Sequence, residues 1–275
     1  MEYSYLFALS YANRGEEKRF IKDVLCKFDN QKLVGANLFV NNNPYNLEFY
    51  LHLNFEGKEY ALEFERWLKE NYPNKNRKYN YFIGDLLYSM STRGYNSAGL
   101  LDGDELDFLL TPEPNSLFLF PDQARMSEIF GGGRILDDFR VFLSHSSKDK
   151  DVVDIIFDEL QKAEIRAWYY IYEIDPGDSI VDKINEGLSN SDIGVLLLSH
   201  NFLSPTSGWT KSEMNYFIQR RINRQEMDFI CLNLGMKHEE LPALVQEYRY
   251  IDLSDKTAID QLIMVLRKVK LSKTP

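Results

Sequence analysis

Cysteine is almost missing from this chain: among 275 residues there are two, Cys26 and Cys231. Their apolar helix and strand contexts predict buried, reduced thiols of a cytoplasmic protein, and their spacing offers neither a disulfide scaffold nor a zinc site. Long apolar runs are missing too. Nothing approaches the roughly 20 residues of a membrane-spanning helix, and no signal-peptide pattern is present, so no membrane partner is expected. Positive charge is in deficit, with Lys+Arg 32 against Asp+Glu 42 and a net charge of −10. That balance argues against a general surface for nucleic acid or anionic lipid, because both call for basic patches. No spacing of Ser, His and Asp suggests a hydrolase triad. The acidic stretch LLDGDELD, residues 100–107, lacks the ligand spacing of a calcium loop and reads as a solvated turn. No metal and no cofactor are expected.

What is present is enough chain for about two domains, each able to bury its own core. The triple glycine Gly131, Gly132 and Gly133 is a natural joint, since glycine is conformationally free there. It predicts a smaller α+β domain over residues 1–133 and an α/β domain over residues 134–275. The first part starts with a strand over residues 3–10 and a helix over 15–28 that turns Phe20, Val24, Leu25 and Phe28 to one face. The Asn-rich residues 41–46 read as a turn between an extended 37–40 and a strand over 47–55. There Leu47, Phe49, Leu51, Leu53 and Phe55 alternate with Glu48, Tyr50, His52 and Asn54, the pattern of a half-exposed sheet. A helix over 58–71 carries Ala61, Phe64, Trp67 and Leu68 and stops before Pro73. Residues 81–90 are ambiguous, 102–104 suggest a turn, and 116–120 a short strand. This part resembles no family we recognise.

The second part alternates strands with helices. Aliphatic runs at 140–144, 193–198 and 229–234 read as buried parallel strands, with a further strand over 165–171. Helical periods follow over 152–160, 179–188 and 257–271, and another helix starts near Trp209. Such alternation implies a parallel sheet covered on both faces. In these sheets ligands bind outside the carboxyl ends of the strands, where the strand order reverses. That rule singles out residues 144–149, 172–179 and 199–213. Within them Trp209 and Glu213, four residues apart, share one helical face. Thr210 and Glu213 also spell a capping box, in which the carboxylate would bond the backbone N–H of Thr210, so spacing leaves both roles open. Ser144, Ser146 and Ser147 could likewise satisfy the N–H groups of the next helix.

The stretches FRVFLSHSSKDKD (139–151), YEIDPGDSI (172–180) and LSHNFLSPTSGWTKSEM (198–214) resemble, in order, the first box, the BB loop and the third-strand segment of TIR domains. The resemblance covers roughly residues 137–271 and is nearest in style to bacterial members. It implies a flavodoxin-like domain that cleaves NAD as a substrate, with Glu213 as the catalytic carboxylate. Ser144, His145, Ser146, Tyr170, Tyr172, Ser179 and Trp209 are the substrate contacts expected from it. Many family enzymes carry an Asp at the end of the second strand, where this chain has Tyr170. Tyr170 and Tyr172 could stack on a ring of the substrate or pack under a helix. Family members often work as stacks, which makes the BB-loop residues Asp175, Pro176, Gly177 and Asp178 an expected self-association interface.

The chemistry suits so sparse a site. Nicotinamide leaves NAD as a neutral molecule, so no proton donor is needed. The strain falls on an oxocarbenium-like ribosyl centre, which one carboxylate can stabilise. Water as the attacking group gives ADP-ribose, and an adenine nitrogen gives a cyclised product; the sequence does not choose. The runner-up is a non-catalytic TIR module that binds other TIR domains as a scaffold or host mimic. The amino-terminal domain is expected to act as a sensor or assembly element answering an unidentified trigger, in a bacterial anti-phage or signalling role.

Overall fold

The computed structural model describes residues 2–28, 32–43, 46–93, 97–100, 139–204, 216 and 229–273. Residues 1–137 fall in one compact unit, and Asp138–Gln161 with Ile165–Pro275 make up the other. No helix among the described residues is long and apolar enough to cross a membrane.

The amino-terminal unit runs β1 (Glu2–Ala8), α1 (Arg14–Lys27), β2 (Leu33–Asn43), β3 (Asn46–Glu56), α2 (Lys58–Asn71), β4 (Asn76–Arg77), α3 (Ile83–Arg93) and β5 (Ser97–Leu100). Its strands are antiparallel in the order β4-β1-β3-β2-β5. Through β4 this is the βαββαβ order of a split-βαβ, ferredoxin-like unit, extended by β5. Alternation along β1 and β3 sends Tyr3, Tyr5, Phe7, Phe49, Leu51, Leu53 and Phe55 to one face. There they meet Phe20, Ile21 and Val24 of α1 and Ala61 and Phe64 of α2. Phe64 stacks on Phe55 with ring centroids 4.8 Å apart and meets Tyr5 edge-on at 5.0 Å.

The opposite face of this sheet is less exposed than the alternation predicts, with Glu48, Tyr50 and Asn54 half-buried and Leu6, Asn37, Phe39 and His52 buried. Leu86 of α3 is buried against it with Leu6 and Phe39, and the ambiguous residues 81–90 belong largely to this helix. Period-two patterning reports which residues share a face, not whether a helix covers it. His52 lies on the covered face, with Nε2 2.9 Å from Ser4 Oγ and Nδ1 3.0 Å from Asn37 Nδ2. Burial pushes its pKa down to about 4. The Asn-rich stretch is mostly strand rather than turn, since the β2–β3 ladder continues to the pair Asn43–Asn46. Cys26 is exposed, whereas Cys231 is buried as expected. The reason is geometric: α1 buries Phe20, Ile21 and Val24, and residue 26 lies off that stripe.

The carboxyl-terminal unit contains β6 (Arg140–Ser144), a 3-10 turn (Ser147–Asp149), α4 (Lys150–Lys162), β7 (Arg166–Trp168), α5 (Tyr170–Glu173) and α6 (Ile180–Ser189). It continues with β8 (Ile193–Leu198), β9 (Phe229–Asn233), α7 (Ala243–Gln246), β10 (Ile251–Asp252) and α8 (Ala258–Lys273). The five strands are parallel, in the order β10-β9-β8-β6-β7. This is the flavodoxin-like order, and it reverses between β6 and β8. Every residue of β8 and β9 is buried, as strands covered on both faces require.

The second strand is shorter than predicted. It ends at Trp168, and Tyr170–Glu173 form a helical turn closed by Ile174 N–H donating to the Tyr170 carbonyl at 3.1 Å. Trp168 stacks on Phe142 at 4.6 Å and lies against Gly187 of α6 so closely that any Cβ there would collide with the indole. The two-residue β10 was not foreseen. The helix expected near Trp209, the turn at 102–104, the strand at 116–120 and Gly131, Gly132 and Gly133 lie outside the described residues.

Candidate active site

Parallel strands all end on the same side, and here their ends carry polar side chains that are nonetheless buried: Ser144 closing β6, Ser146 and Asp149 after it, Ser199 after β8 and Asn233 closing β9. Each of the last four has a local reason. Ser146 Oγ accepts from Lys148 N–H and caps the 3-10 turn. Asn233 donates Nδ2 to the Met236 carbonyl at 2.7 Å and accepts from Met236 N–H at 3.0 Å. Asp149 reaches across the point of strand reversal: Ser199 Oγ donates to its Oδ2 at 2.5 Å and Asn201 Nδ2 to its Oδ1 at 2.6 Å.

His145 donates Nδ1–H to the Leu143 carbonyl at 3.1 Å, which fixes the tautomer. Burial holds its pKa below the usual histidine value, although the Leu143 carbonyl, Asp149 and Asp154 pull the other way. Its ring stacks on Tyr170 at 5.5 Å and meets Tyr169 edge-on at 5.3 Å. A neutral imidazole and a phenol therefore stand together at the ends of β6 and β7.

Tyr169, which the sequence reading passed over, is a fully buried strut. Its hydroxyl donates to Asp154 Oδ1 at 2.6 Å, and burial together with that bond raises its pKa. Burial works to raise the Asp154 pKa as well, but the bonds from Lys150, at 2.5 Å, and from Tyr169 outweigh it and hold the carboxyl low. Tyr172 packs by stacking on Phe157 at 4.8 Å and remains 50% exposed.

Ser179 caps α6, its Oγ accepting from Asp182 N–H at 3.4 Å. Next to it Asp178 Oδ2 accepts from Asp175 N–H at 3.0 Å, and Gly177 takes φ +106°, a conformation that side chains rarely adopt. The structure thus brings His145, Tyr169, Tyr170 and Tyr172 into one aromatic cluster. Trp209 and Glu213 lie outside the described residues. Sequence reasoning missed the partners of Asp149; nothing local to the residue signals a bond to a loop 50 positions away.

Residues 141–263 match the family model of the TIR domain. This part of the chain is a TIR domain. Over 48% of its length the chain is 34% identical to 2' cyclic ADP-D-ribose synthase AbTIR of Acinetobacter baumannii, covering 46% of that protein. Over 46% of its length it is 31% identical to NAD(+) hydrolase TcpC of Escherichia coli O6:H1, covering 40% of that protein. A solved TIR domain, that of the Toll-related receptor TRR-2 of Hydra magnipapillata, aligns over 46% of this chain and 97% of its own length at 18% identity and a TM-score of 0.39. The chain spans less than half of the length of either curated relative.

Proposed function

We propose that the TIR domain cleaves the bond between nicotinamide and ribose in NAD, giving nicotinamide and either ADP-ribose or a cyclic isomer of it. The observation that carries this reading is similarity, over the TIR residues, to proteins named for NAD hydrolysis and for cyclic ADP-ribose synthesis. The bond breaks with its electron pair going to the pyridinium nitrogen, so nicotinamide departs neutral. The ribosyl carbon is left oxocarbenium-like and Glu213 stabilises it, with Trp209 beside the sugar. Water adding to that carbon and losing a proton completes hydrolysis; a nucleophile within the dinucleotide completes cyclisation. The chemistry rests on the leaving group already carried by NAD and calls for no metal or cofactor. His145 and Tyr170 provide an aromatic wall in place of the Asp common at position 170 in the family. Ser144, Ser146, Tyr172 and Ser179 line the same end, two of them through hydroxyls already engaged as caps.

In this reading the domain works as an assembly in the bacterial cytoplasm, joined through Asp175, Pro176, Gly177 and Asp178, and serves an anti-phage or signalling role. The amino-terminal unit restrains it until a trigger arrives, because an unrestrained NADase would deplete its own cell. Ile171, Tyr172, Ile180 and Val181 flank that loop as exposed apolar side chains, which favours an interaction surface and sustains a second reading, a TIR module that binds without catalysis.

Incubating the purified chain with NAD and separating the products by chromatography tests the proposal. Nicotinamide release should fall by about 10²–10³-fold or more in Glu213→Ala, the scale of one lost electrostatic stabiliser. A wild-type chain that leaves NAD whole at every protein concentration rejects the reading, and partner binding untouched by Glu213→Ala favours the module.

A further inference from the structure

Asp149 is buried, and both carboxylate oxygens are committed to the loop that follows β8. Ser199 Oγ donates to Oδ2 at 2.5 Å while itself accepting from Phe202 N–H at 2.9 Å. Asn201 Nδ2 donates to Oδ1 at 2.6 Å. Around this anchor the backbone turns: Leu203 N–H donates to the Ser199 carbonyl at 3.1 Å and Ser204 N–H to the Asn201 carbonyl at 3.3 Å. On its other side Asp149 is held by its own N–H donating to the Ser146 carbonyl at 2.9 Å, at the end of the loop after β6. The carboxylate therefore ties together the two loops that flank the strand reversal. Burying a charge is costly unless it is bonded, and charge-assisted bonds are the strong ones, so the tie is stiff. The loop it fastens leads on in sequence to Trp209 and Glu213, five and nine residues past Ser204.

We propose that Asp149 is a positioning residue for NAD cleavage: it fixes the turn after β8 to the loop after β6, and from that turn the sequence continues to Glu213. The proposal rests on the reading of Glu213 as the catalytic carboxylate. It is distinct from a dipole role at the start of α4, for which a carboxylate needs no bonds from Ser199 and Asn201.

The experiment uses the full chain and three substitutions. Asp149→Ala removes both bonds. Asp149→Asn can keep them, its amide oxygen accepting from Asn201 and its amide N–H donating to Ser199. Asn201→Ala removes one bond at a less buried position and serves if Asp149→Ala does not fold. For Asp149→Ala, kcat for nicotinamide release should fall about 10–100-fold with KM for NAD changed by less than about 3-fold, as a misplaced catalytic group requires. Asp149→Asn should recover to within about 5-fold of wild type, and Asn201→Ala should fall between. Amide exchange at residues 202–204 should speed up in Asp149→Ala and Asn201→Ala but not in Asp149→Asn.

Wild-type kcat in Asp149→Ala or Asn201→Ala, a loss confined to KM, or Asp149→Asn as impaired as Asp149→Ala overturns the proposal. Should wild type release no nicotinamide, the catalytic reading fails. The exchange measurement then still decides the tie, with faster exchange upholding it and unchanged exchange rejecting it.

Discussion

In the amino-terminal unit the buried side chains of His52, Asn37 and Glu17 pair with other polar groups inside the fold, whereas in the TIR domain Ser144, Ser146, Asp149, Ser199 and Asn233 gather at one end of the sheet, with Glu159, Gln161 and Ser191 buried elsewhere. His52 sits between Ser4 and Asn37 in the middle of the strands. Glu17 accepts from Ser10 N–H at 3.1 Å and from Lys75 at 2.5 Å, with Lys75 lying 4.7 Å from the centroid of the Phe20 ring. In the TIR domain Ser144, Ser146, Asp149, Ser199 and Asn233 all follow or close strands. The difference follows from strand direction. Antiparallel strands reverse at alternate edges, so no one end gathers their termini, while parallel strands present every carboxyl end to the same rim. A rim of that kind can be turned to chemistry without disturbing the core beneath it.

The contrast is open to attack, first through the aromatic core that lets the antiparallel unit stand without such a rim. Phe64 touches the rings of Tyr5, Phe7, Phe28, Phe55 and Trp67. Phe64→Ala should cost about 3–5 kcal/mol in urea unfolding followed by the amino-terminal transition, the range for truncating a buried aromatic. A loss under about 1 kcal/mol would mean that the core is looser than its ring contacts imply.

The matching test in the TIR domain is Gly187→Ala, which drives a methyl into the Trp168 indole. It should destabilise by about 1–3 kcal/mol, as overpacking does, and Trp168→Leu in the same chain should recover part of the loss. Additive losses in the double variant would show that the two residues do not press on each other.

A third measurement separates the units by pH. The His52 pKa is lowered to about 4 from 6.5 by burial, so the unfolded chain binds the proton more readily than the folded one. Stability from this group is complete above pH 6.5 and is lost as the pH falls toward 4; between pH 7 and pH 5 the loss should be about 2 kcal/mol. Comparing wild type with His52→Gln at both pH values isolates it, and equal slopes would show that His52 is not neutral in the fold. The smallest effect is expected at Gly177, where a side chain must adopt φ +106°. Gly177→Ala should cost about 1 kcal/mol, while NAD turnover at fixed protein concentration falls if that loop joins subunits. Unaltered specific activity together with unaltered particle size would remove the loop from the assembly.

Much of the TIR domain was legible because its signals are local. The aliphatic runs of β6, β8 and β9, the helical periods of α4 and α8, and the motif boxes can all be read from short windows. The end of β7 could not be, since Trp168, Tyr169, Tyr170, Ile171 and Tyr172 suit a strand and an aromatic helical turn equally. The ferredoxin-like order of the first unit was invisible for another reason: which strands pair is decided by tertiary contacts, and no residue announces it. His52 looked solvent-facing until α3 was seen to cover its face. For the site, His145 and Tyr170 were named from the resemblance, and nothing in the sequence showed that their rings stack. The bonds of Asp149, formed with residues distant in sequence, needed the fold.

The seat of Trp168 on the bare backbone of Gly187 supplies an intrinsic optical gauge. The helix beneath it starts directly after residues 172–179, so any slide of α6 alters the polarity around the indole. With Trp67 and Trp209 replaced by phenylalanine, the emission colour of a single chromophore would follow that motion in real time.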